Sequence, residues 1–387
     1  MLQAKTTNRL SGELIGADEL RRIAPDWDDL CARVVEQNVY YTPRYARALL
    51  DNLAEEIGAA VVWQDQRLVA LLPVALDSFS LSPLAPSRAW QSLYTFSCTP
   101  LLDAGLARDA ASVLCDVLAK ASGREWHFPR LNVDGPACQA MIAALRDRGV
   151  PFDFCDGFKR ASLVRGSSFE KHLAEQISPR RRKDLSRNRR RLEKMGTVEH
   201  VAHSSGEGLK RAVDTFLSIE ASGWKGKQGT ALANSLETRR FAEQAFANGE
   251  SRVDLLTLDG VPIAASVIVF AGRVGFAVKC AYDERYRNCS AGLLLELAVI
   301  RSFLNEGWAD RLDAATLGPH VIDDLWSDRV RVSDLMLSFT SLKPELRLAA
   351  LKRWHDLKRE VKKTIRNETV RGFVKRLQSP LRHMGLA

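Results

Sequence analysis

One stretch in the second half of the chain constrains the fold more than any other. Apolar runs over Val253–Leu258 and Pro262–Phe270 are predicted to form a hairpin, because the Asp-Gly dipeptide between them favours a two-residue turn. A third strand is predicted over Val274–Tyr282, a helix over Ser290–Asn305 and a final strand over Arg311–Thr316. A strand, a helix and a further strand form a right-handed crossover, which implies parallel pairing. This half is therefore expected to contain a mixed sheet with a helix against it.

The other segments alternate between helical and strand periodicity, which favours an α/β (or α+β) fold. The length of 387 residues is comfortable for two domains. We predict a first domain over residues 1–160, a second over 161–342 and a basic helical tail over 343–387. Helices are predicted over Asp18–Gln37, Pro43–Leu53, Arg108–Ala121, Ala137–Arg148, Gly166–Glu175, Ser178–Lys194, Ser205–Ala221 and Leu236–Asn248. Further strands are predicted over Ala59–Trp63, Arg67–Val74 and Trp126–Leu131.

The positive charge of the chain is concentrated in the basic tail. The formal net charge is +9, and residues 343–387 alone hold 13 Lys/Arg against 4 Asp/Glu. Such a tail favours contact with anionic lipid at a membrane surface. Its apolar stripe is equally typical of a helix packed on the body or on a second subunit, as in a homodimer. The near-neutral remainder argues against a nucleic-acid-binding protein. The stripe consists of Leu348, Leu351, Trp354, Leu357 and Val361.

The cysteine and histidine patterns exclude several kinds of site. None of the seven cysteines forms a C-x-x-C pair, so neither a zinc nor a disulfide framework is expected, and a reducing, cytoplasmic setting is the simplest fit. The seven histidines show neither metal-ligand spacing nor a Ser/His/Asp signature, so we expect no metal and no hydrolase triad. The longest uncharged apolar stretch, Val261–Gly272, is shorter than the ~20 residues of a membrane span. We expect a cytoplasmic protein, free or peripheral at the inner face of the membrane.

The segment Asp283–Gly292, between the third strand and the long helix, has the properties of an anion site. A helix N-terminus presents free backbone N–H groups and the positive end of its dipole. Arg285 and Arg287 add charges that suit phosphate. The preceding strand has Val278 and Cys280 on one face and mostly small residues on the other, which lets a ligand approach closely. The alternative is an ordinary loop with a Ser N-cap beside a tightly packed sheet.

The same segment carries a sequence motif: Arg287, Asn288, Cys289, Ser290, Ala291 and Gly292. It resembles the pyrophosphate loop of the GNAT superfamily of acyltransferases, whose pattern is Arg/Gln-x-x-Gly-x-Gly/Ala. The chain departs from that pattern at the first glycine, where it has serine, a residue that is less free at positive φ. The order of three antiparallel strands, loop, helix and parallel strand is also similar to the core of the GNAT fold.

Five further segments carry a wider resemblance: Asn38–Pro43, Ser178–Leu185, Glu220–Gly226, Gly229–Ala231 and Asn288–Leu293. They resemble the CelD/BcsL-type acetyltransferases, which are associated with cellulose and exopolysaccharide production, and more distantly the FemAB-type transferases. Such proteins are similar to a tandem of two GNAT-like domains, each with a mixed twisted sheet flanked by helices. The second domain keeps the acyl-CoA loop in this arrangement.

The resemblance implies an acyl-CoA-dependent N-acyltransferase, with acetyl-CoA as the expected co-substrate. The acceptor is expected to be a small-molecule amine or a saccharide, and transfer to a hydroxyl is an alternative. Two other classes stay open. One is a non-catalytic scaffold of a polysaccharide-synthesis complex, and the other is a FemAB-like aminoacyl transferase that uses charged tRNA. The implied residues for acyl-CoA are Val278, Cys280, Arg285, Arg287, Asn288, Ser290, Ala291 and Gly292.

Three carboxylates are candidates for catalysis, because N-acyl transfer needs a neutral amine and help for the developing oxyanion. Glu220 continues the apolar stripe of its helix and should point inward, where the alternative to a base is an ion pair with Lys225. Asp283 closes the third strand beside the expected thioester, and the alternative is a loop cap. Asp313 lies on the next parallel strand, where the sheet is expected to splay around the acyl group.

Three more residues are candidates for acceptor binding. Trp224 and Lys225 follow the end of the helix that carries Glu220 and are expected to shape a cleft, which Asp324 is expected to close. The basic run Arg180–Lys194 is either a solvated helix face or a contact for an anionic substrate or the 3′-phosphate of CoA.

Overall fold

The computed structural model describes residues 9–53, 57–80, 85–122, 124–166, 168–357 and 360. These residues form a mixed α/β fold in which helices cover two twisted sheets, as the sequence predicts. The strands of the first half are β1 Leu10–Ile15, β2 Ile57–Gln64, β3 Arg67–Ala75, β4 Ser87–Arg88, β5 Leu101–Leu102, β6 Glu125–Asn132 and β7 Phe152–Val164. The strands of the second half are β8 Val198–His203, β9 Ser251–Leu258, β10 Val261–Ala271, β11 Val274–Tyr282, β12 Arg311–Asp313 and β13 Asp328–Ser338.

The helices lie between these strands, and most of them match the predicted ranges to within a few residues. The helices of the first half are α1 Ala17–Arg22, α2 Ala24–Arg33, α3 Pro43–Leu53, α4 Asp77–Ser80, α5 Ala107–Ser122 and α6 Pro136–Asp147. The helices of the second half are α7 Phe169–Gln176, α8 Pro179–Glu193, α9 Gly206–Ser222, α10 Trp224–Lys227, α11 Leu236–Phe246 and α12 Ala291–Glu306.

The single helix predicted over Asp18–Gln37 is wrong. The chain there forms α1 and α2, with Ile23 between them as the C-cap of one and the N-cap of the other. Pro25 lies in the first turn of α2, where its missing N–H is tolerated. The same residue inside one long helix would remove a backbone hydrogen bond and clash with the preceding turn. The apolar residues thus keep helical spacing across the whole segment, although the helix itself is interrupted just before the proline.

Strand order shows how the two halves are joined. The four-stranded sheet has the order β1-β2-β3-β5 and lies wholly in the first half. The nine-stranded sheet has the order β4-β6-β13-β7-β12-β11-β10-β9-β8 and takes strands from both halves. Its strand β13 pairs antiparallel with both β6 and β7, so a strand of the second half is inserted between two strands of the first. The predicted boundary at residue 160 falls within β7, and the division into two domains stays a prediction.

Strands β1, β7, β8 and β13 were not predicted from the sequence. Two of them, β1 and β8, are edge strands with mixed exposed and half-buried residues, so they lack a clear apolar face. Strand β13 begins with the charged residues Asp328, Arg329 and Arg331. Its apolar face is continuous only from Leu335 onward, where it enters the core between β6 and β7. Residues 328–338 therefore form a strand because of tertiary packing between β6 and β7, and not because of their own sequence pattern.

Two hydrophobic clusters lie on opposite faces of the nine-stranded sheet. Along β10, Val267 and Val269 belong to one cluster and Ile268 to the other, as expected for side chains that alternate across a strand. The first cluster continues into the first half and into α9 and α11, and the second contains residues of α7, α8 and α12. The sheet is thus covered on both sides, and its strand ends remain the places where a ligand has access.

The described part of the basic tail packs on the body. A helix over 344–357 buries Leu348 and Leu351 against Cys155 of β7 and Met336 of β13. This corresponds to the body-packed alternative for these residues. Val361, the last residue of the predicted stripe, lies outside the described residues. Among the described helices, none combines the length and the apolar character that crossing a bilayer requires.

Candidate active site

A wedge-shaped opening lies between β11 and β12. The two strands pair in parallel over only three residues each, Val274–Phe276 with Arg311–Asp313. Strand β11 continues to Tyr282 and stays paired with β10 on its other side. From Ala277 onward, within the described residues, β11 therefore pairs with no strand on the β12 side. A strand that pairs on one side only presents alternate N–H and C=O groups to whatever enters the opening.

The loop after β11 has the backbone geometry of a phosphate-binding turn. The short 3-10 helix Glu284–Cys289 leads to Ser290, which has φ 54° and ψ 44°. This is the left-handed conformation that the glycine of the motif would supply, and here serine adopts it. Helix α12 begins at the next residue. The N–H groups of Ala291 and Gly292 precede any carbonyl of that helix that could accept from them, and Gly292 is the more accessible of the two, because Ala291 is buried.

Helix α8, the predicted basic run, lies against this loop. Asn188 Nδ2 donates to Ser290 Oγ at 3.0 Å, and Arg191 Nη1 donates to the carbonyl oxygen of Asn288 at 2.9 Å. The helix is anchored beneath by Leu185, which is buried in the cluster shared with α12. The Asn188 bond holds the left-handed serine in place. The basic helix thereby supports the loop and brings positive charge to it.

The two charged residues at the start of the loop are paired with each other. Arg285 Nη2 lies 2.6 Å from Asp283 Oδ2, and Asp283 also accepts from the Arg285 backbone N–H at 2.9 Å. The hydrogen bond from the Arg285 guanidinium lowers the pKa of Asp283, which makes this carboxylate a weak base. These contacts correspond to the loop-cap alternative for Asp283. Arg287 is exposed and forms no ion pair with a described residue, so it remains the cation of the loop that is available to a phosphate.

A second group of predicted residues lines one small cavity of about 40 Å³ at the open edge of β11. Glu220 is buried there, accepts from Lys225 Nζ at 2.8 Å and accepts from the Leu232 backbone N–H at 2.9 Å. Both of its oxygens are thus engaged, which corresponds to the ion-pair alternative. Trp224 covers the entrance with half of its surface exposed. The structure therefore brings together Glu220, Trp224, Lys225 and Cys280, which the sequence could only name separately.

Lys279 does not line this cavity, but it interacts electrostatically with Glu220 and Lys225, and its sequence position gave no reason to select it. Its Nζ lies 5.1 Å from the ring centroid of Tyr94, a residue of the first half. Burial lowers the pKa of Lys279 to about 8, and the nearby Glu220 carboxylate opposes this shift. Lys279 stands three residues beyond the last paired residue of β11, within the open part of the strand. A cation therefore lies on the part of β11 that is unpaired on the β12 side, where a ligand could bind.

Asp313 lies on β12 at the closed end of the opening and is buried. Its Oδ1 accepts from the Ala315 backbone N–H at 2.7 Å and lies 3.5 Å from Nη1 of Arg160. Arg160 is also buried and donates to the carbonyl oxygens of Phe96 and Thr316 at 2.8 and 2.9 Å. This network joins β7 and β12 to the segment that contains Phe96. Asp313 therefore fixes the point where the strands separate, which is a positioning role.

Tyr40, one of the two tyrosines in the segment Asn38–Pro43, also lies at this closed end. The ring of Tyr40 is fully buried, 5.6 Å from that of Phe276 at the last paired position of β11. Burial, followed by the charge of Asp313, raises the pKa of Tyr40. Its hydroxyl has no hydrogen-bond partner among the described residues, which is uncommon for a buried polar group. Tyr40 was not among the residues predicted for the site, although the segment Asn38–Pro43 was one of those that carried the resemblance.

Asp324 lies elsewhere. It is exposed, and its Oδ2 is 3.3 Å from Nη2 of Arg181 on α8. It does not line the small cavity with Glu220. Two residues further on, Trp326 donates through Nε1 to the buried Glu296 of α12 at 2.7 Å. The 321–326 segment thus packs against α8 and α12 behind the loop, and the structure does not place Asp324 beside the other acceptor candidates.

The family comparison matches the part of the chain that holds these features. Residues 179–318 match the family model described as an acetyltransferase (GNAT) domain. An acetyltransferase (GNAT) domain is therefore present, and the prediction of an acyltransferase is confirmed. Proteins with this domain generally use acyl-CoA as a co-substrate. No curated protein sequence matches the chain.

Solved structures extend the fold comparison to most of the chain. The crystal structure of FemX superposes with a TM-score of 0.54 at 11% identity, over 84% of this chain and 98% of that one. The C-terminal domain of a putative lysylphosphatidylglycerol synthetase from Agrobacterium fabrum superposes with a TM-score of 0.54 at 11% identity, over 86% and 95%. At these identities the likeness shows a common fold for both halves.

Proposed function

We propose that the chain transfers an acetyl group from acetyl-CoA to an amine, and that this amine belongs to a saccharide or another cell-envelope precursor. The observation that carries the proposal is the opening between β11 and β12, with an anion-binding helix start at its mouth. The acceptor class follows from the resemblance to the CelD/BcsL-type acetyltransferases. The geometry supports the donor side more directly than the acceptor side.

Each part of the donor has a place along this opening. The pyrophosphate would bind the N–H groups of Ala291 and Gly292 and the guanidinium of Arg287. The pantetheine arm would hydrogen-bond with the open backbone edge of β11 between Ala277 and Tyr282, as an added strand does. Arg191 on α8 is the nearby cation for the 3′-phosphate. The cavity of about 40 Å³ beside Cys280 suits a two-carbon acyl group, since it has room for only a few water molecules.

The reaction then requires few groups from the protein. The neutral amine attacks the thioester carbonyl carbon, the C–S bond breaks and CoA leaves as a thiolate that takes up a proton. Backbone N–H groups of β11 and the ammonium of Lys279 stabilise the negative charge on the tetrahedral oxygen. The amine loses its proton to water at the half-exposed Trp224 entrance. Glu220 acts as a positioning residue, because its two oxygens hold Lys225 and the Leu232 segment.

Donor binding is tested by the melting temperature of the full chain with acetyl-CoA, which stabilises a protein that binds it. We expect a rise for the wild type and none for a variant with Arg287→Glu and Gly292→Trp. A Cβ on Gly292 would lie 3.3 Å from Cδ1 of Tyr282, so a large side chain there fills the loop. Arg240→Glu is the matched control for charge reversal, because Arg240 is exposed on α11, away from the loop. A wild type that responds to no acyl-CoA would contradict the proposal and favour the scaffold.

The acceptor is tested by release of free CoA thiol from acetyl-CoA in the presence of matched sugars. Glucosamine and glucose differ in one amine, so faster release with glucosamine supports N-transfer. Equal release with both sugars would instead indicate transfer to a hydroxyl. Release with neither, in a protein that binds acetyl-CoA, would overturn the saccharide part of the proposal while leaving the donor site in place.

A second candidate function is that of a FemAB-like aminoacyl transferase, and the position of α8 is the observation that favours it. This helix brings a dense set of arginines to the mouth of the opening, where a charged tRNA would present its acceptor end. Charged tRNA that binds in a salt-sensitive manner and donates its aminoacyl group would support this candidate. Failure of tRNA to bind, together with acetyl-CoA binding, would exclude it.

A further inference from the structure

A second cavity, of about 550 Å³, lies under the tail helix and is lined in part by residues of β6, β7 and β13. Its lining includes polar groups from strands β6, β7 and β13 and from the tail helix. Three of them, His127, Asp334 and His355, have ligand atoms that all lie within 4.8 Å of one another. The proposed activity uses none of the three. Their convergence in a cavity, from three separate elements, calls for an explanation.

We propose that His127, Asp334 and His355 bind a divalent transition-metal ion of the zinc class. Two imidazoles and one carboxylate are a common donor set for zinc, which takes three protein ligands and leaves a fourth position open when it is not purely structural. All three side chains are half-buried, so the ion would be largely shielded yet reachable from the cavity.

The local geometry suits an ion with small adjustments. His127 Nε2 and Asp334 Oδ2 are 2.7 Å apart. A metal at about 2.0–2.2 Å from each would take the place of the shared proton and move the two atoms slightly apart. His127 lies on β6 and Asp334 on β13, two strands that pair directly. The ring of His355 stands edge-on to that of His127, with centroids 5.3 Å apart. Two ligands are thus fixed by the sheet, and the third comes from the tail helix.

Neighbouring groups orient the ligands in the manner that metal sites require. The other oxygen of Asp334 accepts from the Arg130 backbone N–H at 2.9 Å, which aims Oδ2 at His127. His355 Nδ1 lies 3.4 Å from Asp156 Oδ2. Such carboxylate and backbone partners fix the rotamer and basicity of metal ligands. The second group of convergent ligand atoms among the described residues, Asp156, His355 and Asp356, shares His355 and surrounds the same corner.

A metal here would also fasten the tail. The helix over 344–357 is held by two buried leucines and by a hydrogen bond from Lys352 to Asp153, and the ion would add a bond between this helix and the sheet. The fourth coordination position would face the cavity and would take water or an oxygen or nitrogen atom of a small molecule.

The first test measures zinc in the full-length protein, purified without a histidine tag and dialysed after exposure to ZnCl₂. We expect about one zinc per chain by mass spectrometry. Replacement with Co²⁺ should give the intense visible absorption of a tetrahedral or five-coordinate site, which requires no variant. A wild type that retains no zinc and gives no such Co²⁺ spectrum would overturn the proposal.

The second test compares variants. His127→Ala and His355→Ala should each lower the retained zinc by about tenfold or more. His200→Ala is the matched control, because His200 also forms a 2.7 Å pair with an aspartate, Asp254, but lies at the other end of the sheet. Its zinc content should equal that of the wild type. Asp334→Asn keeps the shape of the side chain and should also lose zinc. It therefore tests the site even if one of the alanine variants fails to fold.

These outcomes separate a built site from adventitious binding. Zinc that is retained in both His127→Ala and His355→Ala, or lost equally in His200→Ala, would contradict the proposed ligands. Acetyl-CoA binding is measured on the same samples and is expected to persist in all variants, so failure of the metal proposal leaves the proposed function untouched.

Discussion

Helices α5 and α12 occupy matching positions in the chain order of the two halves, and their N-termini differ. Each helix follows a strand and a loop and leads to another strand. Before α5, Asp103 is buried and its carboxylate pairs with Arg33 and with Arg67, the latter at 2.8 Å. Its other oxygen accepts from the Gly105 backbone N–H at 2.9 Å. The first half thus has a buried, paired carboxylate in the loop before this helix.

The loop before α12 also has a carboxylate directly after its strand, Asp283, but this residue is less buried and pairs with Arg285 of the same loop. Nearer to the helix the loop has Ser290, whose hydroxyl accepts from Asn188. The strands around the two helices differ as well. Strands β5 and β6 lie in different sheets, whereas β11 and β12 share a short paired segment and then separate. The same order of elements therefore gives a closed structural corner in the first half and an opening beside a helix N-terminus in the second.

Among the substitutions that test this difference between the two loops, we expect the largest effect from Asp103→Asn, and only on stability. Asp103→Asn should lower the free energy of unfolding by about 3 kcal/mol, because it removes a buried charge from two arginines. Chemical denaturation measures this. Acetyl-CoA affinity should not change in the folded protein. An affinity loss that exceeds the effect on stability would show that the first half contributes to the donor site.

A smaller effect is expected from placing a carboxylate at the second helix. Ser290→Asp and Ser290→Asn both tolerate a left-handed backbone, and they differ mainly in charge. We expect Ser290→Asp to bind acetyl-CoA about 30-fold more weakly than Ser290→Asn, or about 2 kcal/mol, because of repulsion between anions. Calorimetric titration gives both constants. Equal affinities would mean that the phosphates bind elsewhere.

A further prediction concerns Lys279. Lys279→Met should lower kcat about tenfold, with little change in acetyl-CoA affinity, because the variant lacks the charge that we propose stabilises the oxyanion. The pKa of about 8 means that Lys279 is a cation below that pH and neutral above it. The wild-type rate should therefore fall as the pH rises through about 8, and this decline should be absent in the variant.

Stability provides the control for Lys279. The folded pKa is lower than the ordinary value of 10.5, so the unfolded chain binds the proton more tightly. This group therefore destabilises the fold below about pH 8, and the penalty decreases as the pH rises toward 10.5. Lys279→Met should consequently be no less stable than the wild type at pH 7. If the variant is less stable than the wild type, its lower kcat is explained by partial unfolding and not by the loss of the charge.

Much of the second half could be predicted from the sequence, because its signals are local. The Asp-Gly turn, the alternation along β10 and β11 and the apolar stripe of α12 act within one segment. The left-handed serine was visible as a departure from a glycine pattern, and the structure shows that the backbone keeps the conformation while the residue changes. The roles expected of Asp283 and Glu220 depended on partners, and their partners proved to be neighbouring cations.

The parts that could not be predicted depend on contacts between distant segments. Asp103 meets arginines 70 and 36 residues away in sequence. Lys279 is desolvated by packing that includes Tyr94 of the other half. The insertion of β13 between β6 and β7 likewise has no local signal, since it is specified by burial between two strands of the first half. Periodicity and motif spacing do not record such contacts.

We propose that only one of the two halves binds the donor. Calorimetric titration of acetyl-CoA into the full chain distinguishes one binding half from two, because it yields stoichiometry as well as affinity. We expect about one molecule per chain, with binding weakened in Ser290→Asp and retained in Asp103→Asn. Two molecules per chain, none at all, or an affinity that is indifferent to Ser290→Asp would contradict the account.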